Sequence, residues 1–499
     1  MAIIYVDANS TAVGTPNGSE ALPYLSFYDI PVSAVSVNVG STIYIAGDSY
    51  LVPTQSGWAG GLPIRQSLDA ADPITVTQWV GKAQGRLIGG INFNDSIYTW
   101  NASNNGTNEY YLTLANGSDP ALSIVNSATV DGYYWNSSCE KDRQRAMTAA
   151  TYASSGKPPK GFIGSMPYDK QYGWGDNDSL GFDTVYVRID SGSPADYEII
   201  GSQSVNLIDT NMANWAFDGI HLLYGNTSVI DCRPASTWTF TNCTIAYADY
   251  NGIEVTNSGA TAILENCLFY WCGHRAMTLL SGGTIKANHC VEFGAHLTFL
   301  VSNASGTIEL SNCVGTYNEA GVYDVQNASA TVTLEHNHFS PRMFELDGTK
   351  IAGSAIGYVN SSNFPSVPLS NNPANVASSV DDVTAFSDPM FVAVDPNKLS
   401  NCDFRLKEGS PLIRAGYVTN DADFGTTDAT GATRNAYTPN IGMYAGFEAA
   451  PTSSGTGSAP SQEYINSTNL PAGRDFGTKR YQDDGDIIGN YIHTDFPNA

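Results

Sequence analysis

Charge is scarce in this chain, and positive charge is scarcest. Only 14 % of its 499 residues are Asp, Glu, Lys or Arg, against roughly a quarter in an ordinary soluble domain. The 23 Lys and Arg face 48 Asp and Glu, for a net charge of −25. A surface this acidic repels phosphate, which excludes nucleic acid as a partner. Runs of Glu, Lys and Leu are missing, so long helices are not expected. No apolar run of about 18 residues offers a membrane-spanning helix. The eight cysteines form neither paired CxxC motifs nor a compact disulfide framework. Residues 1–7 (MAIIYVD) lack the basic leader and long apolar core of a signal peptide. There is no P-loop, no GxSxG elbow, no HExxH and no EF-hand loop.

What the chain does hold is turn-formers and a repeat. It has 48 Gly and 24 Pro, together with abundant Asn, Ser and Thr. WTFTNC at 238–243 is followed by AILENC at 262–267, IKANHC at 285–290, IELSNC at 308–313 and VTLEHN at 332–337. The steps are 24, 23, 23 and 24 residues, with Asn337 in the cysteine position of the last copy. Each copy alternates: Trp238/Phe240, Ala262/Leu264, Ile285/Ala287, Ile308/Leu310 and Val332/Leu334 flank Thr239, Ile263, Lys286, Glu309 and Thr333. Period two with one apolar side means a strand with one face buried. One such strand every 23 or 24 residues predicts the coils of a parallel β-helix, each paired with the next about 4.8 Å away. Cys243, Cys267, Cys290 and Cys313 then form one inward column of small residues. Parallel Cβ directions argue against disulfides between them. Asn242, Asn266 and Asn312 read as a turn ladder whose amides bond from coil to coil.

The two ends add a resemblance. IYVDA at 4–8, GTPNGS at 14–19, PYLS at 23–26 and GSTIYIAGDSY at 40–50 are similar to the opening of right-handed parallel β-helix proteins. DPMF at 388–391, DFRL at 403–406, GSPLIRAG at 409–416 and NIGMY at 440–444 resemble the terminal segment of the pectate-lyase-like β-helix superfamily. Two positions depart from that pattern: Asn440 stands where an acidic residue is usual, and Arg414 where Asp is usual. The resemblance implies an all-β fold, a right-handed parallel β-helix solenoid with lateral loops and a short C-terminal tail. The superfamily includes surface proteins, polysaccharide lyases and phage tailspikes, so the fold alone does not select a chemistry.

Along the chain, residues 1–130 read as N-terminal opening coils. Residues 131–184 break the pattern with Tyr133, Tyr134, Trp135, Tyr172 and Trp174 and a cluster of Lys and Arg. A loop of that length is usually functional. Flat rings stack on sugar faces and cations receive acidic groups, so these five aromatics are the candidate substrate-binding residues. Residues 185–446 read as the main β-helix, closed by 401–446. Residues 447–460 have linker composition, and residues 461–499 form a C-terminal tail.

Counting six to eight residues past the cysteine column reaches the next turn. Asp249, His274, Arg275, His296 and Glu319 fall there, and Glu292 stands in a column that elsewhere holds Ile245, Phe269 and Phe339. If these six gather on one edge, a carboxylate pair suits glycoside hydrolysis. A His or Arg base beside a cation suits β-elimination instead. Scattered polar residues also belong on any solvent-exposed turn, so both chemistries and a purely structural role stay open. No metal set is assigned. His336 and His338 are two ligands and not a site, and DDGD at 483–486 resembles a calcium loop only faintly. No cofactor is required, with calcium as an optional ligand.

The resemblance implies three classes of function. The first is a phage tailspike-like virion protein that binds, and in one version degrades, a bacterial surface polysaccharide. The second is a bacterial secreted or surface polysaccharide lyase or adhesin. The third is a structural fibre or adaptor. Expected partners are a surface polysaccharide, other virion tail proteins and two further copies in a homotrimer, without membrane insertion. The expected location is the virion tail or the extracellular space.

Overall fold

The computed structural model describes residues 3–30, 40–50, 73–94, 98–113, 128–132, 169–175, 184–202, 207–210, 214–341, 391–394 and 398–448, with breaks of one to four residues inside these spans. Asp249, His274, His296 and Glu319 fall in the breaks, and Tyr133, Tyr134 and Trp135 lie outside the spans. The linker and tail also lie outside the described residues. The chain divides into two compact units: residues 1–262 with 270–278, and residues 263–269 with 279–499.

In the first unit, parallel strands stack in three series. Ile3–Asp7, Thr42–Ala46, Ile74–Gln78, Trp215–Asp218 and Thr237–Thr241 form one ladder. Asp48–Tyr50, Arg86–Ile88, His221–Gly225 and Thr244–Ala248 form the second. Ile208–Thr210, Ser228–Cys232 and Asn251–Val255 form the third. The alternation decides which face is buried. Trp215, Phe217, Trp238 and Phe240 are all at most 1 % exposed, and Phe217 stacks on Phe240 with ring centroids 5.3 Å apart. Each buried ring removes a large apolar area from water, so an aromatic stack of this kind anchors the coils.

Between the coil strands at 86–88 and 208–210 the pairing changes sense. Tyr172–Gly175, Thr184–Arg188, Glu109–Thr113 and Asn101–Ala102 form an antiparallel sheet. Gly90–Asn92, Ile199–Ser202 and Ala128–Val130 form a second one. A core of its own holds this insertion, with Phe93, Leu112, Val130, Tyr172, Val185 and Ile199 buried together. The boundaries expected from sequence, with coils to 130 and again from 185, do not mark this change of pairing. The physical reason is that alternation at 109–113 and 184–188 is equally compatible with an antiparallel strand. The 23-residue period that marks a coil is missing there.

In the second unit, Thr284–Asn288, Thr307–Ser311 and Thr331–Glu335 stack in register, with Ile285, Ile308 and Val332 and also Ala287, Leu310 and Leu334 fully buried. Val291–Phe293, Val314–Asn318 and His338–Pro341 form the next ladder, and Leu297–Val301 pairs with Tyr323–Val325. Cys267, Cys290 and Cys313 are at most 3 % exposed. The thiols of Cys290 and Cys313 point at the carbonyls of Leu264 and Ala287, at 3.7 and 3.6 Å. All described cysteines are free thiols. Asn337 continues the column, accepting from the Cys313 N–H at 2.8 Å and donating to the Leu310 carbonyl at 2.8 Å.

The residues just before this column are not an amide ladder. Asn266 donates to Thr427 O and Asn312 to Asn288 Oδ1. What they share is backbone: Asn242, Asn266, His289, Asn312 and His336 all have φ between 52° and 55°. This left-handed corner tolerates Asn and His better than most side chains.

Candidate functional site

The third ladder of the first unit carries an acidic column. Asp209, Asp231 and Glu254 occupy one register position on consecutive coils. Asp231 is 3 % exposed and Glu254 6 %. Both oxygens of Asp231 are engaged. Thr256 Oγ1 donates to Oδ1 at 2.7 Å, and Arg233 Nε donates to Oδ2 at 2.7 Å. Cation and hydroxyl together hold the Asp231 carboxyl in place.

For Glu254 burial dominates. Burial, with the negative charge of Asp231 adding to it, pushes its carboxyl up from 4.5 to about 7. Ser228, Arg233 and Asn251 pull back toward the charged form without reversing the shift. Asn251 sits on the rung beside Ser228 and is 1 % exposed. Neither polar atom of its amide makes a hydrogen bond of ordinary geometry. Next to the pair, burial drives the Cys232 thiol well above its ordinary value, which keeps it protonated and unreactive. A buried carboxyl pushed up to about 7 beside an ion-paired one suits acid–base chemistry near neutral pH.

A second polar cluster in this unit lies on the second ladder. Arg86 Nε donates to Asp48 Oδ1 at 2.6 Å, and Arg86 also reaches Glu198 Oε1 at 2.9 Å. His221, one coil on in the same column, is pushed down to about 4 by burial, with Arg86 adding to the effect. One cation here answers two carboxylates and ties the 198 segment to the coil, so this cluster reads as a structural clamp.

The candidates drawn from sequence are placed as follows. Arg275 opens the strand Arg275–Leu279, is 9 % exposed and has its guanidinium carbon 5.7 Å from the centroid of the Tyr250 ring. Glu292, in the second unit, is 2 % exposed. Its carboxylate accepts from the Ala295 N–H at 2.9 Å and the Thr298 hydroxyl at 3.2 Å. Its column continues through Gly315 and Phe339. Tyr172 is 4 % exposed and packs in the core of the insertion. Trp174 pairs through its backbone with Val185. Asp249, His274, His296, Glu319, Tyr133, Tyr134 and Trp135 lie outside the described residues. His336 gives its Nδ1 to the Ala415 carbonyl at 3.0 Å, and His338 is fully buried. Among the described residues no three His, Cys, Asp or Glu side chains gather to hold a metal ion.

Counting from the cysteine column missed Asp231 and Glu254. The signal was available, because they stand 23 residues apart, one coil of the repeat.

Residues 198–374 match the sequence model of the right-handed β-helix region. The fold is a right-handed β-helix. No curated protein matches the chain. Among solved structures, the β-helix is similar to a structure described as XylC in complex with xylose, at TM-score 0.44 and 12 % identity, over 72 % of this chain and 69 % of that one. It is also similar to pectate lyase Pel9A, at TM-score 0.39 and 15 % identity, over 89 % of this chain and 96 % of that one. At such scores neither likeness carries weight for the chemistry of this β-helix.

Proposed function

We propose that this chain binds a bacterial surface polysaccharide and hydrolyses it, with Asp231 and Glu254 as the reacting carboxyl groups. The observation that carries the reading is the pair itself: two buried carboxyls on consecutive coils, one ion-paired with Arg233 and the other pushed up to about 7 by burial. Glycoside hydrolysis uses such a pair, one group giving a proton to the leaving oxygen and the other acting on the sugar carbon.

The setting we propose is a tailspike-like virion protein, assembled as a homotrimer with other tail proteins. Support comes from the resemblance of the opening and closing segments to those of that superfamily. In this role the enzyme strips the polymer that covers a host cell.

Incubating the whole chain with a panel of bacterial surface polysaccharides tests the reading. New reducing ends are expected from at least one of them. Glu254→Gln is expected to lower turnover by at least about 10²-fold, the lower range for a lost acid–base group, while the polymer is still retained. Retention without cleavage by the wild-type chain would leave an adhesin. Neither retention nor cleavage would leave a structural fibre.

A further inference from the structure

We infer that Asp231 acts as a nucleophile in a double displacement, with retention of configuration, on an uncharged glycan. This deepens the hydrolytic reading above and rests on it.

The first argument is spacing. Asp231 and Glu254 are register partners on adjacent rungs, and rungs repeat at about 4.8 Å. Double displacement places its two carboxyls roughly 5–5.5 Å apart, whereas single displacement needs roughly 6.5–9.5 Å to seat a water between them. Backbones one rung apart suit the shorter separation better than the longer one.

The second argument is charge. Asp209 shares the register column, and Arg233 is already bound to Asp231. A uronate carboxylate laid here meets the carboxyls of Asp231 and Glu254, and the cation beside them, Arg233, is already committed. β-Elimination next to a uronate needs a positive group to take up that charge. An uncharged sugar meets no such barrier.

The third argument is the Asn251 amide. It is 1 % exposed, close enough to Glu254 to favour its charged form, and without a hydrogen bond of ordinary geometry. Amides buried this way normally have partners. A hydroxyl of the sugar supplies one, and such bonds strengthen in the transition state of glycoside hydrolysis.

The steps balance without an outside oxidant or reductant. The protonated Glu254 carboxyl gives its proton to the glycosidic oxygen. The bond from that oxygen to the anomeric carbon breaks, and its electron pair stays on the departing oxygen. An Asp231 carboxylate oxygen forms an ester bond to the same carbon. Water then attacks that carbon, and its proton passes to the Glu254 carboxylate. The ester bond breaks and its pair returns to Asp231. One water is consumed for each linkage.

The test uses the whole chain with two sets of polymers: neutral bacterial polysaccharides, and the uronate polymers polygalacturonate and alginate. NMR reads the anomer formed first, and absorbance follows any unsaturated product. Asp231→Gly is assayed with and without azide, with Asp231→Asn as a volume-conserving control. Circular dichroism checks that both are folded. The expected result is cleavage of a neutral polymer with retention. Asp231→Gly is expected to lose at least about 10²-fold in turnover, with azide restoring activity and yielding a glycosyl azide. Cleavage with inversion, and no azide rescue, would overturn the inference and leave the hydrolytic reading standing. Unsaturated product from a uronate polymer, unchanged by Asp231→Gly, would overturn both. No cleavage of either set would also overturn both.

Discussion

At the scale of single residues, the protonation of Glu254 makes a sign prediction. Its carboxyl ionises near 4.5 when unfolded and at about 7 when folded, because burial and Asp231 oppose its charge. Between those values the folded chain holds a proton that the unfolded chain has lost. Stability from this group therefore falls as pH rises from about 4.5 to about 7 and is level above that. Glu254→Gln is expected to remove this fall, so its thermal midpoint gains on the wild type more at pH 8 than at pH 4.5. An equal gain at both pH values would show that Glu254 is not held protonated. The same reasoning separates what sequence could reveal from what it could not. The column of Asn242, Asn266 and Asn312 is plain in the repeat, but the purpose first read there, an amide ladder, is replaced by left-handed backbone at φ of 53–55°. The type of residue was legible and its φ was not. For Asp231 and Glu254 the 23-residue offset was legible. Burial was not, and burial moves the carboxyl.

At the scale of elements, the closing segment is held to the coils of the second unit by polar groups. Lys286 reaches Asp421 and Asp423 at 2.8 and 2.7 Å. Glu265 accepts twice from the Gly425 N–H, and Arg434 donates to Asn266 Oδ1 at 2.7 Å and the Met443 carbonyl at 2.9 Å. Gly442 donates its N–H to the Asn312 carbonyl at 2.8 Å. Arg434 is 6 % exposed, and burial lowers its basicity to about 10 despite Asp428 and Glu265 nearby. Removing it breaks its bond to Asn266 Oδ1, while the Met443 carbonyl keeps the Ala429 N–H at 3.1 Å; a lost buried hydrogen bond to a charged group costs about 1–3 kcal/mol. Arg434→Met is therefore expected to loosen residues 403–447 first. Limited proteolysis should cut there faster than in the wild type, while hydrogen exchange in Trp215–Asp218 stays slow. Uniform loss of protection in both places would refute a local clasp. Short motifs such as DFRL and NIGMY marked this segment in sequence, because the fold needs a cap over its coil edges. The antiparallel insertion stayed hidden because it has no repeat. Its strands Glu109–Thr113 and Thr184–Arg188 pair across more than seventy residues, and no local pattern records a pairing that distant.

At the scale of the whole molecule, charge governs association. Each 53.2 kDa chain carries −25, so three copies brought together repel one another strongly unless salt screens them. The Debye length is about 30 Å at 0.01 M and about 8 Å at 0.15 M, so the repulsion reaches across a subunit contact only in dilute salt. A trimer built on apolar and backbone contacts should therefore tighten as salt is added. One built on bridges between acidic and basic patches should loosen, and with 23 Lys and Arg against 48 Asp and Glu there are few cations to build such bridges. Light scattering at micromolar concentration is expected to give about three times the chain mass at 0.15 M salt and above. Dissociation toward single chains is expected near 0.01 M. A monomer at every salt concentration would end the trimer proposal. A trimer that falls apart as salt rises would keep the assembly and overturn its apolar basis. Neither result touches Asp231 and Glu254, because both lie within one unit of one chain and their chemistry is read separately by cleavage.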